Sequence, residues 1–200
     1  MARKTSIRTK RSPIPTIIGA GITEQWYFTH LHRLKCYRVK IRPRYFGTET
    51  AKGLAKRIEE VLLDGGFAIC VFDADVSTWN EAERLKLNAL RRKYKDNPSV
   101  LLCDSLPSIE YWFLLHYRNT NRYYGTSQAV IEDLKYFIPQ YDKSEKFLQQ
   151  EKWVAEMTGE CRLEEACARA GAFGTDGESY TNVYKVIDVI EERQHTKNSI

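Results

Sequence analysis

Phe67-Ala68-Ile69-Cys70-Val71-Phe72-Asp73-Ala74-Asp75 is the stretch on which the fold reading turns. An apolar run of strand length with no polar alternation is the mark of a central strand covered on both faces. It passes directly into two carboxylates. Upstream, Thr50 to Asp64 has Leu54, Ile58, Val61 and Leu62 at helical spacing and ends at Gly65-Gly66. Downstream, a helix is predicted over 79–95, followed by a short apolar strand, Ser99-Val100-Leu101-Leu102-Cys103.

Further out, Thr16-Ile17-Ile18-Gly19-Ala20-Gly21 reads as a buried strand entering a glycine turn, with Thr23 capping a helix over 24–35. Strands alternating with helices predict an α/β protein with a sheet of about four mainly parallel strands. From Ser105 onward the pattern is helical: Ile109 to Tyr117, then 127–137, 144–157, 160–171 and 180–192. The division expected is a basic tail over 1–12, an α/β core over 13–104, and a mainly helical part of the same domain over 105–200.

The net charge of +5 has a local origin. Arg3, Lys4, Arg8, Lys10 and Arg11 lie in the tail, and removing them leaves as many bases as acids, 26. Within the core, Arg38, Lys40, Arg42 and Arg44 alternate with Tyr37, Val39 and Ile41, as on a two-faced strand, and Pro43 argues for a sheet edge. No acid stands between Glu24 and Glu49. Such a row is either an edge protected against aggregation or a polyanion-binding ridge, with Tyr37 and Tyr45 near it for stacking. We read it as a nucleic-acid contact flanking the acidic site. Arg84, Lys86, Arg91, Arg92, Lys93 and Lys95 form a second basic helix, read as a solvated face.

Composition narrows the functional classes. A 28% charged chain without about 20 consecutive apolar residues is not a helical membrane protein. The 5 cysteines are odd in number and form no CxxC pair, which argues against a disulfide framework or thiolate zinc site. A cytoplasmic protein of a reducing compartment is expected.

Three features fall where ligands collect in a parallel α/β sheet, outside the carboxyl ends of the strands. Asp73 and Asp75 are alternate residues; on an extended chain both point to one face and can share a hard cation such as Mg²⁺. Glu24 opens a helix, where a carboxylate is an ordinary cap, but it shares that sheet edge with the two aspartates. Glu110 opens the apolar segment Tyr111-Trp112-Phe113-Leu114-Leu115, and His116 closes it. At about 100° per helical residue, Glu110 and His116 do not face one another. His116 reads as a packed or surface side chain before it reads as a ligand.

Taken together, Thr23-Glu24 with Tyr27 or Phe28, Val71-Phe72-Asp73-Ala74-Asp75, and Leu106-Pro107-Ser108-Ile109-Glu110-Tyr111-Trp112-Phe113-Leu114-Leu115-His116 resemble the RloB-like family. The resemblance continues more weakly through Tyr141-Asp142-Lys143-Ser144 and Tyr180-Thr181-Asn182-Val183-Tyr184-Lys185. It implies a Toprim-type fold and a place beside bacterial ATPases in phage-defence loci. It also implies Mg²⁺ or Mn²⁺ on Asp73 and Asp75, with an acid after the first strand, for phosphodiester chemistry. Glu110 is a family residue near the same pocket.

One departure stands out. The family's first turn resembles Glu-Gly-x-x-Thr-Glu, and Gly19 stands where its first Glu belongs. Either Glu24 takes that role or this chain has lost it. The expectations are therefore a metal-dependent nuclease working with an ATPase partner, with Glu24 or Glu110 handling protons, or an inactive nucleic-acid- or partner-binding subunit. A less favoured reading takes Asp73-Ala74-Asp75-Val76-Ser77 as an aspartate phosphatase motif, with Asp73 the nucleophile.

Overall fold

The computed structural model describes residues 13–42, 50–75, 80–174 and 179–198. Arg44 and Tyr45, and the tail over 1–12, lie outside the described residues. Strand β1 is Pro15–Gly19, β2 Lys40–Arg42, β3 Phe67–Asp73, β4 Val100–Leu106 and β5 Tyr180–Thr181. They form one sheet in the order β2-β1-β3-β4-β5. The first four are parallel, and β5 runs antiparallel to β4, pairing Thr181 with Ser105 and Tyr180 with Leu106. The expected four-strand parallel sheet is thus present, with a short fifth strand where a helix was predicted to begin.

β3 holds the centre, and Phe67 through Phe72 are all buried. Its alternating side chains feed two cores. Ala68, Cys70 and Phe72 join Ile18 on one face, which α2 (Ala51–Leu63) and α3 (Glu81–Tyr94) cover through Leu54, Ile58, Leu87 and Leu90. Ile69 and Val71 join Ile17 on the other face, which α1 (Ile22–Leu34) covers with Tyr27, Phe28 and Leu31.

The same face carries the C-terminal half. Helix α4 (Ile109–Leu115) is buried at every residue, because its sequence has apolar side chains on all sides apart from Glu110. Around it pack α5 (Ser127–Leu134), α6 (Glu145–Leu148), α7 (Lys152–Met157), α8 (Arg162–Phe173) and α9 (Tyr184–Asn198). One continuous core therefore joins the helical half to the sheet. The predicted helix over 144–157 is two helices. That predicted over 180–192 starts at Tyr184, after β5.

Local chemistry sets several boundaries. Thr50 Oγ1 accepts the Gly53 N–H at the start of α2, and Asn80 Oδ1 accepts the Glu83 N–H at the start of α3. Helix α1 begins two residues earlier than its threonine suggested, with Gly21 as the extended capping residue and Thr23 inside the helix. On α3, Arg84 and Lys86 pair with Glu81 and Glu83, Lys93 pairs with Glu59, and Arg91 donates to Asp104. No helix among the described residues is long and apolar enough to cross a membrane.

Candidate functional site

Three carboxylates from separate parts of the chain converge at the carboxyl edge of the sheet: Glu24 on α1, Asp73 at the last residue of β3, and Glu110 in the first turn of α4. Glu24 is 4% exposed and Glu110 is fully buried. Asp73 shares the parity of Ile69 and Val71, so it points to the helical half. Its Oδ1 accepts the Ile109 N–H at 2.8 Å, which ties the end of β3 to the start of α4. Asp75 follows in the turn beyond the strand and is half-buried.

The placement of Glu24 explains two glycines. Its carboxylate accepts the N–H groups of Gly21 and of Glu24 itself, as an acid does at a helix N-terminus. A Cβ on Gly21 would lie 2.8 Å from Glu24 Oε2, and one on Gly19 would lie 2.9 Å from Glu24 Cβ. Neither position has room for a side chain, because Glu24 already occupies the space. A second tie holds the two helices in place: Trp112 Nε1 donates to Tyr27 Oη at 2.8 Å, linking α4 to α1.

Glu110 is the most completely bonded member. Ser108 Oγ donates to its Oε2 at 2.6 Å, Tyr141 Oη donates to its Oε1 at 2.8 Å, and Lys143 Nζ stands 3.0 Å from Oε1. Lys143 and Tyr141 had no assigned role in the sequence reading. The only signal for them was the weak Tyr141-Asp142-Lys143-Ser144 resemblance, since a lysine far along the chain says nothing by itself of a carboxylate pocket.

The charges act on one another. Burial, reinforced by the charge of Glu110, pushes the Glu24 carboxyl up to about 7, against the backbone N–H bonds and Lys143 that favour the anion. Burial and then the charges of Glu24 and Glu110 raise Asp73 well above the usual carboxylate range. For Lys143, desolvation pulls the ammonium down, but attraction to Glu110, Asp73 and Glu24 outweighs it and the net shift is upward. Burial pushes His116 down to about 3; its Nδ1 bonds the Trp112 carbonyl at 3.0 Å within the core. His116 is accordingly a packed imidazole, at the far end of α4 from Glu110.

Among the described residues, no group of three or more His, Cys, Asp or Glu side chains is placed to hold a metal ion. Mg²⁺ needs less, since one or two carboxylates suffice when waters and substrate phosphates complete its shell. The donor chemistry of Asp73 and Glu24, anionic oxygens crowded in a buried pocket, fits such an ion. Glu110 fits it less well, because both of its oxygens already serve internal donors.

The basic row lies elsewhere. Lys40 and Arg42 pair in register with Thr16 and Ile18, so they share the α2 face of the sheet, opposite the carboxylates. With Arg38, Thr16, Asp64 and Gly65 they line a groove of about 290 Å³. Among the described residues the strand is Lys40–Arg42, and Arg38 precedes it. The expectation that this row flanks the acidic pocket is therefore corrected: register with β1 turns Lys40 and Arg42 to the α2 face, away from the carboxylates.

A mostly parallel sheet, a buried acidic pocket at its carboxyl edge and a helical half closing over that pocket define an α/β protein with one candidate reaction centre. The chain belongs to the RloB-like protein family, whose model matches residues 16–190. No curated protein and no solved structure is similar enough to this chain to count as a match.

Proposed function

We propose that the protein is a metal-dependent nuclease of the RloB-like type, cleaving phosphodiesters in the pocket of Glu24, Asp73 and Glu110. The convergence of these acids with Lys143 at the carboxyl edge of a parallel sheet is the observation that carries this reading. Asp73 and Glu24 would hold Mg²⁺ or Mn²⁺, with Asp75 adjacent in the turn. Bound there, the ion would supply a Lewis acid for the charge that builds on the phosphate oxygens.

The protein's own groups supply the rest. Burial raises the Glu24 carboxyl to about 7 when no metal ion is near, so a dication placed there would relieve a crowded, buried acid. In the metal-free pocket Glu110, with Ser108 and Tyr141, holds the ammonium of Lys143. The groove lined by Arg38, Lys40 and Arg42 offers a second, separate contact for DNA or RNA. The family resemblance further supports a role in anti-phage defence with an ATPase partner.

The test is calorimetric titration of Mn²⁺ into the native chain and into Asp73→Asn, alongside cleavage of end-labelled single-stranded DNA and RNA. Asn keeps an oxygen for the Ile109 N–H, so folding is preserved while the anionic ligand is lost. Binding and cleavage by the native chain, both absent in the variant, are the expected result. Native protein that binds no Mn²⁺, with or without an oligonucleotide, would overturn it. That outcome would favour the second reading, a binding subunit without catalysis, for which Gly19 in place of the family's first acid is the supporting observation.

A further inference from the structure

We propose that Lys143 is the resident cation of the carboxylate pocket, and that a divalent metal ion binding there competes with its ammonium and displaces it from Glu110. The inference rests on the metal-binding reading above and deepens it. Lys143 is the solvent-facing member of the cluster: its side chain is 44% exposed, whereas Glu110, 3.0 Å from its Nζ, is fully buried. It reaches inward from the segment between Tyr141 and α6, so an ion approaching from solvent meets the ammonium first.

The bonding of Glu110 shows what that acid does. One oxygen receives Tyr141 Oη and Lys143 Nζ, and the other receives Ser108 Oγ. A carboxylate fully engaged by internal donors is a holder of the lysine. The field of Lys143 also reaches Asp73 and Glu24. Buried Glu24 and Glu110 and the partly buried Asp73 need a counter-charge, and one ammonium offsets only part of it. A dication settling on Asp73 and Glu24 relieves the remainder and repels Lys143. The lysine's flexible four-carbon stem lets the ammonium return to water, a route closed to buried Glu110.

The experiment is Mn²⁺ titration by calorimetry into the native chain, Lys143→Met and Lys143→Arg under one buffer and ionic strength. Lys143→Met is expected to bind Mn²⁺ about tenfold or more tightly, and Lys143→Arg as the native chain does. Equal or weaker binding by Lys143→Met, with native binding intact, overturns the competition and leaves the metal site standing. No Mn²⁺ binding by any of the three overturns both. A second readout needs no variant: nitrogen-15 NMR of the lysine ammonium groups during Mg²⁺ addition. The Lys143 signal should move to that of a free, fast-exchanging lysine, and a signal unmoved at saturating Mg²⁺ overturns the proposal.

Discussion

A Cβ placed on Gly19 would lie 2.9 Å from the Cβ of Glu24, closer than two such atoms approach in a packed protein. The bare glycine and the buried acid are therefore one feature. Gly19 leaves the space into which the first helical turn brings Glu24.

Gly19→Ala should therefore act at a distance from its own small change. The clash is with a Cβ attached to the helix backbone, so α1 must shift or the turn must open. A loss of about 1–3 kcal/mol is expected in urea unfolding, in the range of overpacked sites. Native-like stability in Gly19→Ala would show that α1 yields freely.

Glu24→Gln should change the pH dependence of stability. The folded pKa of about 7 exceeds the ordinary 4.5, so between these values the folded state holds a proton that the unfolded chain releases. That contribution is full below about pH 4.5 and is lost as pH rises to about 7. Above pH 7 the native chain bears a buried anion, and the amide variant should be more stable there by about 1–3 kcal/mol. Denaturant midpoints measured from pH 4 to 8 check the sign.

His116→Phe should show the opposite slope. The native imidazole stays neutral to about pH 3, while in the unfolded chain it protonates near 6.5. Its contribution is present above about pH 6.5 and is lost as pH falls towards 3. Phenylalanine can keep the edge contact with Trp112, whose ring lies 4.8 Å away, and carries no proton. The acid limb of the thermal melting curve against pH should become shallower in the variant.

Arg38→Ala/Lys40→Ala/Arg42→Ala should weaken oligonucleotide binding without altering Mn²⁺ affinity, because the row lies on the α2 face. Loss of three phosphate contacts lowers the salt slope of single-strand binding by about 2. Fluorescence anisotropy across a salt series measures it. An unchanged slope would remove this row from any nucleic-acid contact.

Trp112→Phe tests the tie between the two helices that carry acids. The variant leaves Tyr27 Oη without its indole donor in a buried place and opens a small void. A cost of about 2 kcal/mol is expected from urea unfolding. The raised pKa of Glu24 should fall in the same variant if α1 moves away from α4, as read by carboxyl carbon NMR.

Much of the sheet was legible in the chain. Phe67 to Phe72 lacks any polar alternation, and an unalternating strand has to be covered on both faces, which requires helices above and below. The acids were legible as candidates because parallel strands all present their carboxyl ends to one edge. Local patterns define Asp73, Glu24 and Glu110 in this way without any knowledge of how they meet. Only the tertiary structure brought Tyr141 and Lys143 to Glu110, since a pairing across more than one helix leaves no periodic trace. Tertiary pairing also chose the face of Lys40 and Arg42. Alternation in the sequence separates the two faces of a strand, but hydrogen-bond register with β1 alone decides which of them turns towards α2 and which towards the buried helical half.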